Sequence, residues 1–366
     1  MKIQVDREII VKPIMQVIGV VERRQTLPVL SNLLVRATSG ELEVTATDLE
    51  VELVARAPMS IDVPGEITLP ARKLADICRS LPEGASVALN VTDNRATLRS
   101  GRSRFTLSTL QAEEFPRVDD IGATVRFTVA EKALRALLER TQFAMAVQDV
   151  RYYLNGLLLE ISAKQLRAVA TDGHRLATCV IDADVDIDQS TKVIVPRKGI
   201  TELLRLLESS ENPAQIEIGE NHIRVTLADL RFTSKLIDGR FPDYDRVIPQ
   251  GGELVVTADR EWLRQALSRT AILSNEKYRG VRLTLLPDTL RIQAHNPEQE
   301  EAEEEIEVSY SGQEVEIGFN VTYILDALAV LDIKDVTLTL KDQNSSCLIQ
   351  AADSSDCLHV VMPMRL

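Results

Sequence analysis

The chain has 366 residues, of which 45% are hydrophobic and 27% charged, and its net charge is −13. This length is too great for one ordinary core and predicts two or three globular, soluble domains. The N-terminal stretch MKIQVDREII carries four charged residues, so we expect no apolar signal region. No run of about 18 apolar residues is present that could cross a membrane. An acidic chain argues against nucleic acid binding unless its charge is unevenly spread.

The chain contains three copies of one sequence unit, which we call the first, second and third repeat. Thr47-Asp48, Thr171-Asp172 and His295-Asn296 recur at spacings of 124 and 124 residues. Phe115-Pro116 recurs 126 residues later as Phe241-Pro242. Turn residues near Gly122 and Gly251 indicate the boundaries. The predicted domains are therefore 1–122, 123–250 and 251–366.

Every repeat shows the same order of predicted elements. A short alternating strand opens it, at residues 3–5, 126–129 and 254–257. Amphipathic helices with apolar residues at i, i+3 and i+4 are predicted over 7–24, 72–81, 131–145, 197–207, 260–273 and 321–331. Short strands follow each helix. Two helices and about eight strands predict an α+β domain, with the helices on one face of an antiparallel sheet.

The charge of the chain divides between the predicted helices and the remainder. The six helices hold 16 basic and 8 acidic residues, and the remainder holds 26 basic and 47 acidic residues. A solvated helix face could explain the basic residues alone. The contrast with the acidic remainder favours a surface for phosphate backbones. Aromatic residues are 4% of the chain, too few for stacking on single strands, so duplex DNA is the predicted ligand.

The number of helices is compatible with a ring around DNA. Two chains would supply twelve helices, which at 8–10 Å spacing form a ring of roughly 31–38 Å diameter through the helix axes. Allowing about 10 Å for helix thickness leaves a hole of roughly 21–28 Å. B-DNA, which is roughly 20 Å across, would pass. One chain alone could not close such a ring.

Long strings in all three repeats resemble the bacterial DNA polymerase III beta subunits, the sliding clamp family. They include RRQTLPVLSN (23–32), QDVRYYLNG (148–156), ATDGHRLA (170–177), FTSKLIDGRFPDY (232–244) and VVMPMRL (360–366). The resemblance implies three clamp-type domains per chain and a head-to-tail homodimeric ring with helices lining the hole. It implies a cytoplasmic, nucleoid-associated accessory subunit without catalytic residues, metal or cofactor. The implied partners are duplex DNA and the polymerase subunits, clamp loader and repair factors that carry a short Gln/Leu/Phe peptide.

The resemblance also assigns three sets of residues. The DNA-binding set is Arg24, Arg72, Lys73, Gln148, Tyr152, Tyr153, Arg197, Lys198 and Arg205. The peptide-binding groove set is Leu154, Thr171, Gly173, His174, Arg175, Leu176, Pro242, Arg246, Val247, Asn320, Tyr323, Ser346, Val360, Met362, Pro363, Met364 and Arg365. The dimer-interface set is Arg102, Arg104, Phe105, Leu107, Ile272, Leu273, Glu301 and Glu304. Val147, Asn344 and His359 depart from the family pattern.

Two other functions are compatible with parts of the sequence. Asp172, His174 and Arg175 invite an acid–base interpretation, but no nucleophile motif accompanies them and the repeat explains Asp172 as a turn residue. A protein-interaction scaffold without DNA would suit the net charge of −13. The helix charge contrast favours the clamp, and retention on circular but not linear DNA distinguishes the two. The four cysteines show no metal-ligand spacing, so we expect reduced thiols.

Overall fold

The computed structural model describes residues 1–22, 27–38, 40–92 and 95–365, which form 24 β-strands and six α-helices. The first repeat contains β1 (Lys2–Asp6), α1 (Arg7–Val17), β2 (Asn32–Thr38), β3 (Glu41–Thr47), β4 (Val51–Pro58), β5 (Gly65–Pro70), α2 (Ala71–Ser80), β6 (Ser86–Thr92), β7 (Arg95–Ser100) and β8 (Ser103–Ser108). The second contains β9 (Val125–Ala130), α3 (Glu131–Glu139), β10 (Gly156–Ile161), β11 (Gln165–Thr171), β12 (Arg175–Asp182), β13 (Thr191–Pro196), α4 (Arg197–Leu206), β14 (Pro213–Ile218), β15 (His222–Thr226) and β16 (Leu230–Lys235). The third contains β17 (Leu254–Asp259), α5 (Arg260–Thr270), β18 (Gly280–Leu286), β19 (Thr289–His295), β20 (Glu301–Glu307), β21 (Val315–Asn320), α6 (Val321–Val330), β22 (Asp335–Leu340), β23 (Cys347–Ala351) and β24 (Cys357–Val361).

The six predicted helices are confirmed, and the ends of α2, α4, α5 and α6 lie within three residues of those expected. The predictions over 7–24 and 131–145 were too long, because α1 ends at Val17 and α3 at Glu139. Each helix buries the face that its apolar spacing indicated. In α3 this face is Leu134, Leu137 and Leu138, and in α5 it is Leu263, Ala266 and Leu267. Asp259 caps α5 by accepting a hydrogen bond from the Trp262 N–H at 3.0 Å. The α+β class follows, because helices pack on sheets whose ladders are all antiparallel.

Two eight-stranded and two four-stranded sheets hold the strands. One four-stranded sheet has the order β1-β6-β7-β8 and the other β20-β19-β18-β21. The eight-stranded sheets run β5-β2-β3-β4-β16-β15-β14-β9 and β13-β10-β11-β12-β24-β23-β22-β17. Each eight-stranded sheet therefore joins two consecutive repeats, at β4·β16 in one and at β12·β24 in the other.

The described residues cluster into two compact units rather than three. Unit 1 comprises Met1–Leu134, Asp184–Ile187 and Lys198–Leu236, and unit 2 comprises Arg135–Ala183, Asp188–Arg197 and Ile237–Leu366. Each unit holds one eight-stranded and one four-stranded sheet, since the sheets cross the repeat boundaries. Gly122 and Gly251 adopt φ values of 58° and 70°, as turn glycines do. The domain limits at these turns stay a prediction.

The prediction of four reduced thiols is wrong for one pair. Cys179 and Cys357 lie opposite each other on β12 and β24, with Cα atoms 4.1 Å apart, and are joined as a disulfide. Their position is one of the non-hydrogen-bonded pairs of the ladder, where opposing side chains approach most closely. Their sequence separation of 178 residues hid this proximity from the sequence. Cys78 and Cys347 are free and buried.

His359 on β24 is a buried histidine. It is 1% exposed, lies opposite Ala177, and packs against the Phe143 ring with centroids 5.7 Å apart. Neither ring nitrogen has a hydrogen-bond partner among the described residues. Burial, aided by nearby Arg140, lowers the pKa of His359 to about 4.

Replacing His359 by Val should make the stability of the chain less sensitive to acid. Below the ordinary pKa of about 6.5 the unfolded chain binds a proton that the folded chain accepts only near pH 4, so stability falls as pH drops through this window. The unmodified chain should lose up to about 2 kcal/mol more than His359→Val between pH 7 and pH 5. Urea denaturation at both pH values measures this. The exposed control His295→Gln should behave like the unmodified chain, and identical pH dependence in His359→Val would refute the account.

Candidate functional site

The turn between β11 and β12 is built by two side chains. The Asp172 carboxylate accepts hydrogen bonds from the N–H groups of His174 at 2.9 Å and Arg175 at 3.0 Å. The Thr171 hydroxyl donates to the Arg175 carbonyl at 2.6 Å and accepts from the Gly173 N–H at 3.1 Å. Gly173 has φ +90°, which a side chain would strain. Asp172 is thus a turn residue, as predicted, and His174 projects into solvent from the turn.

Arg175, a member of the groove set, has several partners within the chain. Its guanidinium donates to Asp172, Asp326 and the Phe143 carbonyl, and lies 4.6 Å from the Tyr323 ring centroid. With these partners the side chain is mostly buried. Arg175 therefore ties β12 to α6 and offers little free charge to a ligand.

An apolar floor lies beside this turn. Leu176 pairs with Val360 across β12 and β24, and both belong to a buried cluster. The other members are Leu158, Val169, Ile194 and Tyr244, with Tyr153, Ile237, Phe241, Ile248 and Leu348 packed against them. The C-terminal segment continues from β24, because the Met362 N–H donates to the His174 carbonyl at 2.9 Å and the Met364 N–H to Gly318 at 2.8 Å. Met362 is left 37% exposed above the floor.

The remaining groove residues surround several concavities of unit 2. Arg246, Val247 and Ser346 line one of about 640 Å³, and Pro242 lines another of about 340 Å³. Met364 and Arg365 line a third, of about 470 Å³, on the face of β18, β19 and β20. Pro363 lies between the two hydrogen-bonded methionines. Asn320 caps α6 through the Thr322 N–H.

Three residues of the groove set lie beneath the surface. Leu154 and Val360 are both 1% exposed and Leu176 is 3% exposed, so they form or support the floor and are not available as walls. The sequence could not separate these from surface residues, because a fully buried strand and a groove floor show the same apolar pattern.

Four of the nine residues of the DNA-binding set have hydrogen-bond or ion-pair partners among the described residues. The guanidinium of Arg72 donates to the Val21 carbonyl at 2.9 Å, and that of Arg205 donates to the Gln16 carbonyl at 2.6 Å. The Arg197 guanidinium donates to the Met145 carbonyl at 3.0 Å. The Lys198 ammonium contacts the carboxylates of Glu22 and Asp48.

Lys73 and the loop residues of this set are less constrained. Lys73 is exposed on α2 and has no ion pair within the described part of the chain. Gln148 is exposed in a left-handed conformation, with φ +55°. Tyr152 is 57% exposed. Tyr153 instead packs against the buried cluster that contains Leu176 and Val360, so of the two tyrosines it is the one with a role in the core. Arg24 lies outside the described residues.

The dimer-interface set lies on two edge strands and one helix end. Arg102 and Arg104 are exposed, and Phe105 is half-buried while Leu107 is buried on β8. Ile272 is 74% exposed and Leu273 half-buried at the end of α5. On β20, Glu301 is exposed, whereas Glu304 forms two hydrogen bonds of 2.6 Å with Arg269 of the same chain.

Three residues that shape the site were missed in the sequence. Arg151 pairs with Asp149 and lies over Gly173, where a Cβ atom would be 3.1 Å from its guanidinium. Asp326 and Phe143 hold Arg175. The Asp149-x-Arg151 spacing before two tyrosines was a usable signal. Asp326 had none, because it is 151 residues from its partner.

The fold and the site define a class of protein: a threefold-repeated α+β chain with several concavities of mixed polar and apolar lining in unit 2. Family models for the N-terminal, central and C-terminal domains of the DNA polymerase III beta subunit match residues 1–119, 128–243 and 245–365. The beta sliding clamps of Pseudomonas aeruginosa and Escherichia coli K12 are 55% and 52% identical, over the full length of both chains. The chain therefore belongs to the DNA polymerase III beta subunit family, and is an accessory subunit without catalytic activity of its own.

Solved structures agree with this assignment. The P. aeruginosa DNA polymerase sliding clamp with ligand has a TM-score of 0.97 and 54% identity, covering all of both chains. The clamp of the same organism bound to griselimycin has a TM-score of 0.97 and 55% identity, again over both full chains. No helix among the described residues is long and apolar enough to span a membrane.

Proposed function

We propose that the chain acts as a homodimeric ring that encircles duplex DNA, slides without sequence specificity and tethers polymerases through the groove near Leu176 and Met362. Its other partners would be the clamp loader and repair or replication factors that carry a short Gln/Leu/Phe peptide. It would work in the bacterial cytoplasm on the nucleoid, without a cofactor. Its three domains would meet near Gly122 and Gly251. The main support for the ring is the pairing of strands between consecutive repeats.

The pairing of strands follows one rule along the chain. The fourth strand of the first repeat pairs with the eighth strand of the second, as β4·β16, and the second and third repeats are joined likewise, as β12·β24. Among the described residues, two strands have no such partner. They are β20, the fourth strand of the third repeat, and β8, the eighth strand of the first repeat. Unpaired edges of this length invite pairing with another chain. Two copies arranged head to tail satisfy both edges, and the exposed Ile272 beside β20 supports an interface there.

The two pairings within the chain predict the register of the third. Phe232 of β16 pairs with Leu53, and His359 of β24 pairs with Ala177. When the register is followed through β7 and β19, Phe105 of β8 is equivalent to Phe232 and His359. Ala302 of β20 is equivalent to Leu53 and Ala177. Arg104 of one copy would then lie opposite Glu303 of the other, and such opposite charges on paired strands attract.

A charge exchange tests this register. Arg104→Glu should weaken the dimer at least tenfold at low salt, because it faces Glu303 with a like charge at both interfaces. Adding Glu303→Arg in the same chain should restore most of the affinity. Sedimentation equilibrium measures the dimer Kd, with Arg95→Glu, an exposed residue of β7 that is not opposite Arg104, as the control. A double variant no tighter than the single one would contradict the register.

The DNA surface is supported by the charge of the helices. Counted over their observed ends, the six helices carry 13 basic and 7 acidic residues, so they stay basic in an acidic chain. The internal partners of Lys198 and Arg205 compete with phosphate, whereas Lys73 is exposed and has no ion pair among the described residues. Contacts of this kind carry no sequence information and suit a sliding protein.

Lys73→Ala should therefore affect DNA binding more than Lys198→Ala. Each phosphate contact contributes about 0.9 to the slope of log affinity against log salt. We expect Lys73→Ala to lower that slope by about this amount per site, and Lys198→Ala to lower it less, because Glu22 and Asp48 share its charge. The measurements are salt-dependent DNA binding and retention on closed against linearised plasmid. Equal retention on both plasmids would favour the scaffold without DNA.

The groove is supported by the apolar floor of Leu176 and Val360 and by the exposed Met362, whose thioether repacks around different anchors. Deleting Met362–Leu366 removes the two hydrogen bonds that hold the C-terminal segment and leaves the helices intact. We expect a dimer that is still retained on plasmid but loses binding of a Gln/Leu/Phe peptide. Fluorescence anisotropy measures the affinity, with Arg126→Ala, a mostly exposed side chain on β9 outside the groove set, as the control. Peptide binding within about threefold of the full chain, or loss of the ring, would count against the groove.

A further inference from the structure

Unit 1 contains a concavity built like the groove of unit 2. It has a volume of about 420 Å³ and is lined by the turn between β3 and β4, the loop 116–120 and strands β15 and β16. We call it the first-junction pocket. Its lining residues are Thr47, Leu49, Glu50, Val51, Glu52, Pro116, Arg117, Val118, Asp119, Asp120, His222, Thr233 and Lys235.

The backbone of this pocket repeats that of the groove bond for bond. Asp48 accepts hydrogen bonds from the N–H groups of Glu50 and Val51, as Asp172 does from His174 and Arg175. The Lys235 N–H donates to the Glu50 carbonyl at 2.8 Å, as the Met362 N–H does to His174 at 2.9 Å. The two concavities are therefore equivalent positions of the repeat.

The turn of the pocket is held in a strained conformation. Leu49 has φ +79° at the position where the groove has Gly173, and its side chain is 43% exposed. A leucine in the left-handed region is costly, and strain of this kind is concentrated at binding sites. The exposed leucine forms an apolar lip at the pocket.

The floors of the two sites differ in chemistry. The groove has Leu176 opposite Val360, and Leu348 beyond it. The first-junction pocket has Glu52 opposite Thr233, and Arg224 beyond it. An apolar anchor that fits the groove would meet polar groups here, which it could not satisfy.

Glu52 is a buried carboxylate with unused hydrogen-bonding capacity. It is 2% exposed, and its Oε2 accepts from the Val118 N–H at 2.9 Å. Its Oε1 has no hydrogen-bond partner among the described residues, and the Arg231 guanidinium is 3.7 Å away. Burial raises the pKa of Glu52. An acceptor left in this state is stabilised by any donor that reaches it.

The rim of the pocket is also acidic. The side chains of Glu50, Asp119 and Asp120 are exposed. Of the cations that line the pocket, Arg117 lies 3.8 Å from Glu66, which leaves Lys235 at the rim. Carboxylates therefore outnumber available cations around an opening with an apolar lip.

We propose that the first-junction pocket is a second peptide site, which takes an extended segment presenting a lysine or arginine in place of the apolar anchors of the groove. The aliphatic stem would lie along Leu49 and Pro116, and the charged head would meet the rim carboxylates and the floor around Glu52. The extended backbone of the ligand is inferred from the proposed groove, and the proposal rests on that function to this extent.

Two labelled octapeptides test the proposal. One has arginine at its centre between serines and glycines, and the other has neutral citrulline at that position. At physiological salt, the arginine peptide should bind the full chain at least tenfold more tightly than the citrulline peptide. Glu50→Gln/Asp119→Asn should reduce its affinity at least fivefold. The matched control Asp62→Asn/Glu83→Gln, which removes two exposed carboxylates of the same repeat outside the pocket, should change it less than twofold.

The proposals for the second site and for the groove can be refuted independently of each other. Deleting Met362–Leu366 should leave binding of the arginine peptide unchanged while that of the Gln/Leu/Phe peptide is lost. Equal binding of the two octapeptides, or an equal loss in the control variant, would overturn the second site and leave the groove standing. Loss of arginine-peptide binding on the deletion would place that peptide in the groove and also overturn the proposal. Glu52→Gln, which keeps the shape of the floor, should weaken the arginine peptide only.

Discussion

Backbone hydrogen bonding between the fourth strand of one repeat and the eighth strand of the next is the constraint on which the rest of the molecule depends. Such a ladder leaves no free edge between repeats, so β4 and β16, or β12 and β24, lie within one sheet. It also explains why the compact units do not coincide with the repeats, since each unit is organised around a joined sheet. The first-junction pocket lies at one of these junctions, and the apolar floor of Leu176 and Val360 lies at the other. Strand pairing between repeats thus positions both of the proposed sites.

Several cations of the helices already have partners within the chain. Lys198 contacts two carboxylates, and Arg72, Arg197 and Arg205 donate to backbone carbonyls. A phosphate must compete with these partners, so the gain from each contact is smaller than for a free cation. Weak, replaceable contacts suit a protein that must move along DNA, because no single position on the backbone is strongly preferred.

The sequence predicted the repeats and helices because these depend on local spacing. Apolar residues at i, i+3 and i+4 define a buried face whatever the helix packs against, and all six helices formed where that spacing occurs. Side-chain direction was not predictable in the same way. Arg175 turns inward because Asp326 and Phe143 accept hydrogen bonds from it, and Leu154, in the segment before β10, is buried although its neighbours Arg151 and Tyr152 are exposed. The Cys179–Cys357 pair is likewise a result of register between distant strands.

The two junctions separate what the fold determines from what the side chains determine. Both have the same turn, the same ladder and the same hydrogen bond from the strand that follows, so the backbone provides a concavity in each. At the second junction an apolar pair, Leu176 and Val360, makes a floor for apolar anchors. At the first, Glu52 and Thr233 occupy the equivalent positions and exclude such anchors, because a buried carboxylate and hydroxyl would lose their partners. A repeated backbone therefore allows one chain to present two sites of different specificity, and the chemistry of each must be derived from its own residues.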